Sequence, residues 1–426
     1  MSDVKNKGFL GWYFNCNLLY RILTGLVIGA VLGLVFKEEI LWISPFGDLF
    51  VRLLKMVMMP IILSTMITGA SSVSPANLGR VGVRIVAIYM LTSVFAVLIG
   101  LGMGFLFHPA AELSNYADAA EQAAQTPSVV KTLLAIVPAN FADAVVKESI
   151  LAVIFFALAF GISLSFLRIS DNERIKNAAD TLFHVFEAVS EAMMLLVRGV
   201  MEYAPIGVLA LVATVFATNG SKAIGSLGMV IAAAFTGYAI HIIIVYFGII
   251  KLSGLSLRRF IKEAKNPFIT GFVTRSSNGT LPVTIQAANN LGIPREVYSF
   301  SLPLGATINM DGTAVYQGVC ATFIALSVWG HGFSPEQMGV IVLTASLASI
   351  GTAGLPGAGV IMLLMVLDSV GIPITSGSMA AGAYAMILGI DAILDMGRTA
   401  LNVTGDLTST AVVAKSMKLL GPDKQT

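Results

Sequence analysis

Near the C-terminal end of the chain stands GIDAILDMGRTALNVTGDLTST, Gly389 to Thr410, inside a run from Ala380 to Ala414 that is otherwise apolar. Asp391, Asp395, Arg398, Thr399, Asn402 and Asp406 recur in it at helical intervals. Residues three and four apart share one face of a helix, here over roughly 22 Å of axis at 1.5 Å per residue. Three carboxylates, a guanidinium and an amide at membrane depth are costly. Each charge costs about 2.5–3.5 kcal/mol even on lenient insertion scales, so such residues are rare and functional. A plain i, i+3 pairing of Asp395 with Arg398 would neutralise two groups and leave Asp391, Asn402 and Asp406 without a reason. The face reads as a binding site.

The rest of the chain supplies the membrane. Of 426 residues 56% are hydrophobic and only 12% charged, against about 25% charged in soluble chains, and the mean hydropathy is +0.85. The shortfall of charge runs along the whole length, which marks an integral membrane protein rather than a soluble domain on one anchor. A net charge of +2 and the lack of a basic, aromatic-interleaved patch argue against nucleic acid as a partner. Cys16 and Cys320 form no redox or metal motif, and His108, His184, His241 and His331 are scattered without ligand spacing, so a zinc or iron centre is not expected.

Apolar runs long enough to cross about 30 Å of hydrocarbon fall near 18–37, 46–72, 82–108, 149–168, 190–217 and 226–250. Arg80 and Arg84 follow the second, Arg168, Arg174 and Lys176 the fourth, and Lys251, Arg258, Arg259, Lys262 and Lys265 the sixth, whereas 109–130 has neither Lys nor Arg. The positive-inside rule then puts the N-terminus in the cytoplasm, and Lys415 and Lys418 put the C-terminus there too. The first run is expected to be a retained span, since Lys37, Glu38 and Glu39 stand where a cleavage site would.

Beyond residue 265 the runs are broken. TRSSNGTLP (Thr274 to Pro282) interrupts 267–292, NMDGT (Asn309 to Thr313) splits 297–330, GTAGLPGAG (Gly351 to Gly359) splits 335–371, and the opening motif lies in 375–415. Gly, Pro and Ser clusters free backbone groups, which is tolerated at membrane depth only inside protein or beside a cavity. The order predicts two re-entrant hairpins, each followed by a span with a polar motif, an inverted repeat of the kind that builds a carrier's site.

TRSSNGTLP, NMDGT, TAGLPGAG and DMGRTALNVTGD, in this order, resemble the glutamate transporter family of sodium-coupled carriers, most closely its archaeal aspartate transporters, over essentially the whole chain. The resemblance implies an all-α integral membrane fold of eight spans plus two re-entrant hairpins, in the plasma membrane, working as a homotrimer by an elevator motion. It implies a scaffold part at 10–72 and 129–219 and a transport part at 78–108 and 224–418, with hairpins at about 257–292 and 335–371. No enzymatic role is expected.

The residue types themselves suit an acidic amino acid: Arg398 is a planar fork for a carboxylate, and Asp395, one turn away, suits an ammonium. By resemblance, Arg398 and Thr313 take the side-chain carboxylate, Asp395 and Thr399 the ammonium, and Asn402 with Ser276, Ser277 and Asn278 of the first hairpin the main-chain carboxylate. Leu355 and Gly359 close the lid, and Arg275 interacts with Asp395 or Asp391. L-aspartate is the substrate expected, with D-aspartate and L-glutamate as further candidates. Carriers of C4-dicarboxylates or of neutral amino acids on the same fold are the alternative. Asn278 stands where the archaeal pattern has serine, which leaves open the choice between aspartate and glutamate.

Sodium, a hard cation, takes oxygen ligands. By resemblance one site uses Asp406, Asn309 and backbone oxygens of Gly305 and Asn402. A second uses Thr307 with backbone oxygens of Ser349, Ile350 and Thr352, and a third Asp311, Asn309, Tyr89, Thr92 and Ser93. YMLTS fits the third independently, placing Tyr89, Thr92 and Ser93 at i, i+3, i+4. Gln317 stands where proton-cotransporting mammalian members carry a glutamate, so proton cotransport is not expected.

Overall fold

The computed structural model describes residues 16, 18–72, 81–110, 137–147, 149–219, 222–351, 358–375 and 378–420, and among them there is no strand. In chain order the helices are α1 (Leu18–Phe36), α2 (Ser44–Ser72), α3 (Val83–Phe107), α4 (Phe141–Val146), α5 (Ile150–Leu167), α6 (Glu173–Asn219), α7 (Lys222–Ile240) and α8 (Phe247–Leu252). They continue with α9 (Leu257–Thr274), α10 (Ser277–Asn290), α11 (Arg295–Ile308), α12 (Asp311–Trp329), α13 (Pro335–Gly351), α14 (Ala358–Ser369) and α15 (Met379–Ser416). A 3-10 segment, Lys37–Ile43, joins α1 to α2, and a π-helical turn, His241–Tyr246, joins α7 to α8.

Each of the eight apolar runs expected to cross coincides with a helix or a pair of them. Among the described residues, five stretches are long and apolar enough to cross a membrane: Val83–Phe107, Glu173–Ala217, Gly225–Leu252, Val297–Trp329 and Met379–Ser416. Two local expectations change. The fifth run does not start near 190: α6 begins at Glu173, because hydropathy sees only the apolar half of a helix whose polar first turns continue unbroken. The sixth run is not one regular helix but is widened by the π turn.

α1 and α6 pack backbone to backbone. Gly25, Gly29 and Gly33 lie at i, i+4, i+8 on one face of α1, and a Cβ on each would run into the carbonyl of Pro205, Leu209 or Ala213 respectively, at 2.5 Å for Gly29. Small residues at this spacing let helices approach closely, which drives association where lipid is as apolar as leucine. Arg21, buried on α1, adds a fork of two hydrogen bonds to Glu202 of α6, 2.7 and 3.1 Å. Arg168, at the end of α5, reaches the Ser71 carbonyl of α2 at 3.0 Å and Asp180 of α6 at 2.8 Å. α1, α2, α5 and α6 are thereby tied into one body.

A second body forms around α12, buried on every side from Asp311 to Ser327, as a helix apolar all round must be. Gly100 and Gly104 of α3 meet Val315 and Thr322 of α12, and Gly237 of α7 meets Val315. α9 and α10 are joined by two residues into a hairpin that packs on α15, and α13 and α14 pair beside α12. α15, 38 residues long, runs through this body and touches α6 and α1 with its first half.

Candidate functional site: a buried carboxylate and guanidinium cluster

The face read from the sequence exists. Asp391, Asp395, Arg398, Thr399, Asn402 and Asp406 are all buried on α15, none more than 5% exposed. Arg398 holds Asp395 Oδ1 with Nη2 at 2.7 Å and Nε at 3.1 Å, and reaches Asp391 Oδ1 with Nη1 at 3.4 Å. The i, i+3 pairing is therefore made, but it recruits Asp391 as well. Thr399 Oγ1 stands 3.4 Å from the same Asp395 oxygen, whose partner Oδ2 is buried with no hydrogen bond. The guanidinium also lies over the Tyr316 ring, 4.6 Å from its centroid, a cation–π contact strengthened where water is scarce.

Both hairpins converge on this turn of α15. In the first, α9 ends at Thr274, Arg275 takes a left-handed backbone (φ +54°) and donates its N–H to Gly271 O at 2.9 Å. Ser276 then caps α10, accepting the N–H of Gly279 at 3.0 Å. A left-handed arginine costs about 1 kcal/mol or more, but it turns the chain in two residues. Gly271 rests on the Thr399 carbonyl and on Val403, Ser277 is buried and Asn278 faces outward. From the second hairpin Gly359 presses its backbone onto the Arg398 guanidinium, where a Cβ would overlap the side chain. The Tyr384 hydroxyl of α15 holds the following carbonyl, Val360 O, at 3.0 Å. Leu355 and Thr352 lie outside the described residues, and Ser349 and Ile350 fall in the last turn of α13.

The NMDGT break separates α11 from α12 at Asn309 and Met310. Asn402 fills it from α15: its Oδ1 accepts the Gly312 N–H at 2.7 Å and its Nδ2 donates to Met310 Sδ at 3.0 Å. Thr313, 1% exposed, sits one residue further on.

The oxygen-rich residues gather in two groups. Asn309 Nδ2 donates to Asp406 Oδ1 at 3.0 Å while Asn309 Oδ1 stays buried without a partner. Gly305 lies against both Asp406 and the Tyr89 hydroxyl, leaving no room for a side chain. In the second group Asp311 Oδ1 accepts from Ser93 Oγ at 2.7 Å, and Thr92 Oγ1 donates to Tyr89 O at 3.1 Å. The Tyr89 hydroxyl donates to Ser301 O at 2.9 Å. Thr307, half-buried, donates to Leu304 O at 2.8 Å. Among the described residues no three of His, Cys, Asp and Glu stand as a metal cluster, but the groups offer the carboxylate, amide and carbonyl oxygens a hard monovalent cation uses.

A cavity of about 270 Å³ separates α1, α2 and α6 from α15 and the first hairpin tip, and Glu202, Arg275, Asp391 and Asp395 all reach it. Arg275 thus faces the two aspartates with no ion pair to either among the described residues. Reading the sequence missed Tyr316 under Arg398, Met310 beside Asn402, and His241 and Tyr246 beside Asp311. Tyr316 lies five residues beyond Asp311, and His241 interrupts an apolar run, so a buried histidine was the signal available.

An apolar chain, helical among its described residues, that buries Asp391, Asp395 and Arg398 where two hairpins meet is a multi-pass membrane protein built around a polar site. Residues 18–416 match the sodium:dicarboxylate symporter family, and the chain belongs to it. It is 31% identical over 421 residues to a proton/sodium-glutamate symport protein of Bacillus subtilis, covering 96% of this chain and 94% of that one. It is 33% identical over 426 residues to a proton/glutamate-aspartate symporter of Escherichia coli, covering 94% and 92%. A C4-dicarboxylate transport protein of Yersinia pestis is 30% identical over 417 residues, covering 96% and 94%. The protein is a symporter of this family.

Proposed function

We propose that the chain carries acidic amino acids, L-aspartate foremost, inward across the plasma membrane on a sodium gradient. One observation carries the reading. Around α12 and α15, among the described residues, four carboxylates (Asp311, Asp391, Asp395 and Asp406), each no more than 5% exposed, stand with the buried guanidinium of Arg398. Buried like charges repel strongly in a low dielectric, so an anionic substrate meets a net negative site until cations bind. Sodium at the Asp406–Asn309–Gly305 and Asp311–Ser93 groups, with Thr307 in a further site, relieves that repulsion and couples the ion to the substrate. The substrate then replaces the Arg398–Asp395 pair with two of its own: carboxylate to Arg398, ammonium to Asp395. A C4-dicarboxylate has no group for Asp395, and a neutral amino acid has none for Arg398.

The two bodies suit a division of labour in which α1, α2, α5 and α6 form a trimeric scaffold and α3, α7 and everything after α7 move with the cargo. Both termini face the cytoplasm in this reading. Proteoliposomes holding the purified chain test it: labelled aspartate is expected to enter on an inward sodium gradient, with malate and serine competing poorly. Uptake indifferent to sodium removes the coupling, and malate competing as well as aspartate moves the assignment to dicarboxylates.

A further inference from the structure

Asp311 is gripped from an unexpected side. Its Oδ2 accepts from Tyr246 Oη at 2.8 Å and faces His241 Nε2 at 3.3 Å, all three side chains fully buried. A carboxylate oxygen accepts only, so Nε2 carries the hydrogen toward it, and Nδ1 is buried without a partner. Among the described residues Asp311 is the ring's one hydrogen-bond partner. In a regular α-helix residues five apart point about 140° away from each other, and His241 and Tyr246 could not meet one carboxylate. The π turn spans these two residues, and its wider winding brings i and i+5 onto one face. There the rings pack edge to face, centroids 4.7 Å apart at 86°. α15 makes room with Gly405, where a Cβ would overlap the Tyr246 hydroxyl.

We propose that the π turn is a carboxylate clamp: His241 and Tyr246 hold Oδ2 of Asp311 so that the carboxylate keeps one orientation toward a sodium ion, and they are positioning residues for sodium affinity and for discrimination by ion size. The proposal rests on the reading of Asp311 as a sodium ligand. A purely packing role for the pair does not account for two donors converging on one oxygen through a distorted helix.

The test uses the full chain, with aspartate affinity measured by calorimetry across sodium chloride and, separately, lithium chloride. Hydrogen bonds to a charged group are worth enough that Tyr246→Phe and His241→Ala are each expected to raise the sodium half-saturation about tenfold. Raising sodium recovers the aspartate affinity, and the preference for sodium over lithium falls. His241→Gln, which keeps a donor within similar reach, is expected to stay within about threefold of the parent. This variant and Tyr246→Phe, which loses only an oxygen, keep the test sound should His241→Ala fold poorly. Unchanged sodium half-saturation and ion preference in Tyr246→Phe, or a Gln variant as impaired as Ala, overturns the clamp. Asp311→Asn separates the two layers. If it raises the sodium half-saturation while the clamp variants do nothing, the clamp alone fails; if it leaves that half-saturation unchanged, the sodium reading of Asp311 fails and the clamp with it.

Discussion

Arg398 is buried and held by Asp395, Asp391, the Tyr316 ring and the backbone of Gly359, and each contact limits what else the guanidinium can do. Replacing it with cysteine removes the partner of a substrate carboxylate, which then desolvates unpaired. Truncating one side of a buried charged pair costs about 2–5 kcal/mol, or roughly thirtyfold to several thousandfold in affinity at 1.4 kcal/mol per decade. Arg398→Cys is expected to lose aspartate by that margin and to gain measurable serine or alanine binding, whereas Asp395→Asn weakens every amino acid alike. Calorimetry on the pair decides; aspartate affinity kept within about threefold in Arg398→Cys is incompatible with the assignment. Gln317 makes a second prediction at this scale. It is fully buried with neither amide atom hydrogen-bonded, and an amide has no proton to give or take near neutral pH. Although relatives bear proton in their names, sodium-driven aspartate uptake by this chain is expected to leave the vesicle lumen no more acidic than the substrate itself makes it. A pH-sensitive dye in the lumen reads this directly.

At the level of elements, the α1–α6 pair has a sharp requirement. A Cβ at Gly29 would stand 2.5 Å from the Leu209 carbonyl oxygen and 3.1 Å from its Cα, and backbone cannot rotate away as a side chain does. Overpacking costs typically about 1–3 kcal/mol, so Gly29→Ala is expected to lower the thermal unfolding temperature of the purified chain. Gly199→Ala on α6, where a Cβ meets nothing within 4 Å, is expected to be neutral or mildly stabilising. Equal effects of the two would mean that close approach does not hold this pair. The helices themselves were readable because apolar runs and Gly, Pro and Ser clusters are local signals: the tip at Arg275 and Ser276 and the break at Asn309 both fall inside motifs quoted from the sequence. The π turn was not readable. His241 to Tyr246 is uniformly apolar apart from its two ends, and its winding is set by what those ends reach on α12.

For the molecule as a whole, the excess of buried carboxylates makes a claim about linkage. Whatever cation lowers the cost of a second anion must itself be bound more tightly when that anion is present, by the same factor. Aspartate affinity is therefore expected to rise steeply with sodium, and Asp406→Asn to weaken sodium binding first, with aspartate following. An aspartate dissociation constant flat over a hundredfold range of sodium is the outcome that sinks the coupling. The membrane class, the two interrupted hairpins and the polar face of α15 were all present in the one-dimensional pattern. Hydropathy, helical periodicity and backbone-freeing residues act within a few turns of the chain, so no partner need be known to read them. Partnership is a different matter. Arg398 lies three residues from Asp395 and seven from Asp391, and spacing left the second pair unseen. Tyr246 and Asp311, 65 residues apart, meet because the π turn packs on α12, and Asn402 and Gly312, 90 apart, with Asn309 and Asp406, 97 apart, meet because α15 packs against α12 and the break before it. Each of those pairings depends on where a buried donor finds its acceptor once water is excluded, and that is a property of the packed helices, not of any stretch of the chain alone.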